Sequence, residues 1–205
     1  MFLDTLDKTI LGIWPQLTIF IVVLIVVRLA AIKNGGKKTT FHFEFLNLLF
    51  VIYILLLFEL LTGTENATGS GFNLVPFSEI LRYQVGSKLF IYNVIGNILL
   101  FVPFGYFVSR YCESKKISQI FLLSFVTSVT IEAMQLKIGR TFDIDDIILN
   151  VIGGIAGYYL FVALNAIRTH LPSFFQKDFI YNVICFIILA IIIFYIGHLM
   201  GVWWL

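Results

Sequence analysis

Six apolar runs, each long enough to cross a bilayer, leave this chain few folds to choose from. A crossing helix takes roughly 20 apolar residues, because the hydrocarbon core is about 30 Å thick and a helix rises about 1.5 Å per residue. The runs are Trp14 to Ile32, Phe41 to Leu61, Ile91 to Ser109, Ile117 to Leu136, Ile147 to Ile167 and Phe179 to Met200. In lipid every backbone N–H and C=O must be satisfied within the protein, so runs of this length become helices. The sequence therefore predicts an all-α membrane protein, a bundle of about six transmembrane helices forming a single domain over residues 1–205. Composition agrees: 60% of the residues are hydrophobic and 13% are charged, where a soluble domain carries about 25% charged residues. A net charge of +2 excludes the basic footprint of a nucleic-acid binder. Two cysteines, Cys112 and Cys185, lie far apart with no metal-like spacing and read as unpaired structural thiols.

Positive charge sets the orientation. One set of loops carries Lys33, Lys37, Lys38, Arg110, Lys115, Lys116, Arg168 and Lys177. The opposite set carries Lys8, Arg82, Lys88, Lys137 and Arg140 on a longer stretch of chain. The denser set is expected on the cytoplasmic side, which leaves both termini extracytoplasmic. The first apolar run is long, and its strongest positive cluster follows it, so it reads as a retained helix rather than a cleavable signal. The connections are short except Thr62 to Phe90, which opens with a flexible Gly/Ser/Thr/Asn-rich stretch. Within it Asn73-Leu74-Val75-Pro76-Phe77 is apolar but too short to span; it suits the membrane interface or a re-entrant segment.

Polar groups inside a membrane are costly, so each needs a partner or a purpose. Here they gather by depth. Glu132 and Gln135 share a face near the outer end of the fourth run, with Ser124 and Ser128 continuing it inward. Asp146 and Asn150 lie in the first turns of the fifth run, with Gly153 and Gly157 on the same stripe. Asn93 and Asn97 lie at the outer end of the third, and Glu59 at the outer end of the second. All fall within roughly 10 Å of the outer surface at 1.5 Å per residue. Such segregation predicts a polar pocket open to the outside and fed by the second to fifth helices.

The densest patch is Gly139-Arg140-Thr141-Phe142-Asp143-Ile144-Asp145-Asp146. Three readings of its carboxylates stay open: helix capping with an Arg140 ion pair, direct contact with a cationic ligand, and a hard-cation site. No metal ligand set is assigned and no cofactor is implied. Glu132 is the candidate for chemistry, as a buried carboxyl suited to general acid or base work. Its competing role is to lock helices together through Asn97, Asn150 or Arg140. Gly153-x-x-x-Gly157 reads as a close-packing motif, and Pro103 as a kink in the third helix. P-loop, His-Glu-x-x-His and Gly-x-Ser-x-Gly motifs are absent.

Four blocks in this order resemble the VanZ-like membrane proteins, named for a teicoplanin-resistance protein of Gram-positive bacteria. They are Asn-Leu-Val-Pro-Phe at 73–77, Asn-Val-Ile-Gly-Asn-Ile-Leu-Leu-Phe-Val-Pro-Phe-Gly at 93–105, Glu-Ala-Met-Gln at 132–135, and the stretch from Gly139 to Gly154. The resemblance covers about residues 45–165; the flanking apolar runs add only hydrophobicity to it. It implies a cell-envelope protein that lowers the action of lipid-tailed glycopeptides such as teicoplanin. It carries over the motif residues Pro76, Phe77, Gly96, Pro103, Gly105 and Gly153, and, as site residues, Asn73, Asn93, Asn97, Glu132, Gln135, Arg140, Asp143, Asp145, Asp146 and Asn150. Two functions fit. One is a non-enzymatic protein that binds a lipoglycopeptide or a lipid-linked envelope precursor in an outer-leaflet polar pocket. The other is a membrane enzyme acting on such a precursor, with Glu132 as general acid or base. Membrane lipids are the remaining expected partners. A transporter fits less well, because no inverted repeat is evident and the polar groups stay on one face.

Overall fold

The computed structural model describes residues 21, 22, 25, 26, 40–62, 71–112 and 116–199. The expected first span, Trp14 to Ile32, lies outside them apart from Ile21, Val22, Ile25 and Val26, as does the Gly/Ser-rich stretch at 63–70. The chain forms two compact units, one of Leu57–Ile167 and one of Met1–Leu56 with Arg168–Leu205.

In chain order the elements are α1 (Phe41–Thr62), β1 (Gly71–Asn73), α2 (Ser78–Arg82), α3 (Lys88–Tyr111), α4 (Ile117–Lys137), β2 (Thr141–Asp143), α5 (Ile144–His170) and α6 (Asp178–Leu199). Four of them, α3 to α6, are long and apolar enough to cross a membrane. The shorter apolar stretch Phe41–Leu57 lies in α1. This is a membrane protein built mainly of helices.

The second to sixth apolar runs all become helices, but α3 and α5 extend beyond the runs at their N-terminal ends. Lys88 and Asp145 add polar turns that hydropathy alone does not mark as helix. The helix α3 also contains a π segment, Ile91–Ile95, in which the Gly96 N–H reaches back to the Ile91 carbonyl. One extra residue in that turn rotates the start of the helix relative to the rest, a distortion common where helices carry function. The helix then runs on through Pro103.

A purely α-helical chain is corrected in one respect: β1 and β2 pair as a two-stranded parallel sheet, with Gly71 opposite Thr141, Phe72 opposite Phe142 and Asn73 opposite Asp143. Strands of three residues are too short to show a period of two in the sequence. Parallel pairing needs a long crossover, and here α2, α3 and α4 supply it.

Within Leu57–Ile167 the buried face of α4 carries polar side chains beside Ile120 and Ile131: Ser124, Ser128, Glu132 and Gln135 are each at most 2% exposed, while Phe121, Leu122 and Phe125 face outward. Lipid makes that arrangement favourable, since apolar side chains are at home outside and polar ones must find protein partners. Small residues let the helices close on one another. A Cβ on Gly153 or Gly157 would collide with the backbone of α3 at Ile98 and Val102, and one on Gly105 with the backbone of Gly154. A Cβ on Gly154 would meet the Ser124 hydroxyl of α4. The stripe at 153–157 is thus where α5 meets both neighbours.

In the other unit the start of α1 packs on α6. The Phe41 and Phe186 rings stack at 4.4 Å, and the His42 N–H donates to the Asn182 side chain at 3.0 Å. Neither cysteine is in a disulfide; Cys112 is exposed and Cys185 buried.

Candidate functional site

The site grows from the turn between α4 and α5. Its anchor is Glu132, 1% exposed, whose carboxylate accepts the Asp143 backbone N–H at 2.9 Å. The turn is closed further by the Arg140 N–H donating to the Gln135 carbonyl at 2.9 Å. Asp143 in turn accepts the Asp145 N–H at 2.8 Å, which makes it the cap of α5. Its second oxygen accepts from the Asn73 amide at 3.1 Å, reinforcing the β1–β2 register. Asn73 also accepts from the Ser78 hydroxyl at 3.0 Å.

Asp145 is buried and serves a different element. Its carboxylate accepts three backbone N–H groups: Phe77 at 2.5 Å, Glu79 at 2.8 Å and Ile80 at 3.1 Å. These are the orphan donors at the start of α2. Phe77 there takes a left-handed conformation, φ 67°, which the cap holds in place. One carboxylate from the first turn of α5 thus fixes the chain between the sheet and α3.

These contacts border a half-open cavity of about 110 Å³ walled by Glu79, Ile80 and Tyr83 from the α2 side, Asn93 and Val94 from α3, and Asp143, Asp145, Asp146 and Leu149 from the α5 side. Asp146 is held by the Asn97 amide at 2.6 Å. Asn93 donates to the Leu89 carbonyl at 3.0 Å. Four carboxylates on one small wall make it strongly acidic. Burial lifts the Asp143 carboxyl above its ordinary range, against the pull of its two N–H donors. Burial and then the charge on Glu79 raise the Tyr83 hydroxyl likewise. Arg140 acts electrostatically on both Glu132 and Asp146 without lining the cavity. Among the described residues no cluster of His, Cys, Asp and Glu is arranged to hold a metal ion.

The family model of VanZ/LLP1 matches residues 41–167, more than half of the chain and all of this site. The chain belongs to the VanZ/LLP1 family. Neither the search of curated proteins nor that of solved structures found a match.

Of the ten residues expected at the VanZ-like site, Asn93, Asp143, Asp145 and Asp146 line the cavity. Asn73 and Asn97 stand directly behind it through Asp143 and Asp146. Glu132, Gln135 and Arg140 build the turn rather than the wall. Asn150 lies deeper, donating to Ser128 at 2.9 Å in the helix interface. Glu132 is bonded to the Asp143 backbone, while the Asn97 and Asn150 amides donate to Asp146 and Ser128. Glu59 is exposed and contributes nothing to the wall, so α1 drops out of the expected four helices. Glu79 and Tyr83 escape a sequence reading that treats 62–90 as a loop. Their spacing of four, with Ser78 before and Arg82 three after Glu79, is the signal of a short helix.

The VanZ/LLP1 site predicts a sharp contrast at Glu132. Glu132→Gln retains an acceptor for the Asp143 N–H and is expected to leave thermal stability nearly unchanged. Glu132→Ala strands that buried N–H and is expected to cost about 1–3 kcal/mol. Thermal unfolding of the two purified variants in one detergent checks this; equal losses would contradict the anchoring role.

Proposed function

We propose that this protein is a six-span bacterial plasma-membrane protein, both termini outside, that lowers susceptibility to teicoplanin-type lipoglycopeptides. It does so by holding the cationic polar end of a lipid-tailed ligand. The acidic cavity carries this reading: Glu79, Asp143, Asp145 and Asp146 converge on about 110 Å³ at the end of apolar helices. A wall of carboxylates attracts an ammonium group and repels a phosphate. That favours an amine-bearing lipopeptide over a phosphate-bearing lipid-linked precursor. The surrounding apolar helix surfaces suit an acyl tail. The Lys and Arg distribution supports the cavity's placement on the outer side. Glu132, buried and bonded to the Asp143 backbone, acts here as a positioning residue, which supports binding over catalysis.

Expression in a susceptible bacterium is expected to raise the teicoplanin concentration needed to stop growth. Asp146→Asn, which keeps the partner of Asn97 but removes a wall charge, is expected to return it to the host's level with normal amounts of protein in the membrane. The purified protein should bind dodecyltrimethylammonium, a lipid-tailed cation, in preference to dodecyl phosphate. Full resistance in Asp146→Asn would sink the reading. Loss of resistance in a normally folded Glu132→Gln protein would turn it toward the enzyme alternative.

A further inference from the structure

Between β1 and the first turn of α3 the chain turns its apolar side chains outward. Phe72, Val75, Leu81, Val85 and Leu89 are all more than half exposed, with Leu81 at 81% and Val85 at 80%. Glu79 and Tyr83 turn the other way and line the cavity, while Ser78, Arg82, Gln84 and Lys88 are exposed among the apolar residues. The exposed apolar side chains have no cover among the described residues.

It is also tied down. β1 is paired to β2, which sits between the ends of two crossing helices, α4 and α5. Asp145, in the first turn of α5, holds the backbone at Phe77, Glu79 and Ile80. The segment runs directly into α3, itself a crossing helix. It cannot leave the membrane surface without breaking these bonds. Arg82, paired with Glu79 at 3.2 Å, and Lys88 lie beside the apolar residues, where their stems can reach phosphate head groups.

We infer that Gly71–Leu89 is an interfacial anchor: it lies in the membrane–water boundary at the face that bears the cavity, with Leu81 and Val85 among the acyl chains. The occupant of its apolar face is the bilayer. Apolar side chains flanked by basic ones match a surface of acyl chains and anionic head groups. The inference stands whichever ligand the cavity takes.

The test places single tryptophans at Leu81→Trp, Val85→Trp and Arg82→Trp in the full chain, with Trp14, Trp203 and Trp204 changed to Phe. The variants are reconstituted in phosphatidylglycerol-containing vesicles. Leu81 and Val85 are so exposed that Trp there displaces no packed neighbour. Fluorescence at both is expected to be quenched strongly by lipids brominated on the acyl chain and weakly by aqueous iodide, with the reverse at Arg82→Trp. Quenching of Leu81→Trp and Val85→Trp by iodide would show a water-facing segment and overturn the inference. Resistance to both quenchers would show a protein partner on this face and overturn it equally.

Discussion

Asp145→Asn is expected to free the short helix α2 while leaving the crossing helices folded. The carboxylate accepts three N–H groups at once. An asparagine turns one of its oxygens into a donor facing other donors. Hydrogen bonds to a charged acceptor contribute roughly 1.5–3 kcal/mol each. Losing the equivalent of two should destabilise the local structure by about 3 kcal/mol, or on the order of 100-fold in its opening equilibrium. Hydrogen exchange in lipid nanodiscs reads this directly: the Glu79 and Ile80 amides should exchange on the order of 100-fold faster, while amides in the middle of α4 and α5 stay protected. Unchanged exchange at Glu79 and Ile80 would show that the cap is dispensable. The cavity loses its Glu79 and Tyr83 wall in the same event, so dodecyltrimethylammonium binding should fall with it.

Gly157→Ala and Gly105→Ala should be the most damaging small substitutions in the helices. In each a new methyl group would be driven into backbone, of Val102 and Tyr106 in one case and of Gly154 in the other. Backbone cannot rotate aside, so the helices must separate, and overpacking of this kind costs about 3 kcal/mol. Gly96→Ala is the control: its nearest neighbour is the Ile91 carbonyl at 3.7 Å, ordinary contact, so its effect should stay within about 0.5 kcal/mol. Gly154→Ala differs in kind, because the obstacle is the Ser124 hydroxyl. Adding Ser124→Ala should recover part of the loss at Gly154 and nothing at Gly157. Thermal unfolding of the set measures all four, and equal tolerance of Gly96→Ala and Gly157→Ala would refute the close approach of α3 and α5.

What the sequence determines by itself is the solvent and the depth of the polar groups. Long apolar runs have one stable form in lipid, so α1 and α3 to α6 can be placed within a few residues from Phe41 onward. Charged and amide side chains cannot hide in lipid unpaired, so the sequence leads one to expect a polar cluster at one end of the second to fifth helices. Tertiary structure alone decides what each group does there. Asp143, Asp145 and Asp146 are near-neighbours of one chemical type, yet one caps its own helix, one caps α2 across 65 to 68 residues of chain, and one pairs with Asn97 on α3. Glu132, which the sequence leaves open between chemistry and helix locking, accepts the Asp143 backbone N–H in the turn between α4 and α5. Those assignments depend on distances of about 3 Å between segments far apart in the chain. Hydrophobic periodicity carries depth and face, but not which donor lies within that distance of which acceptor.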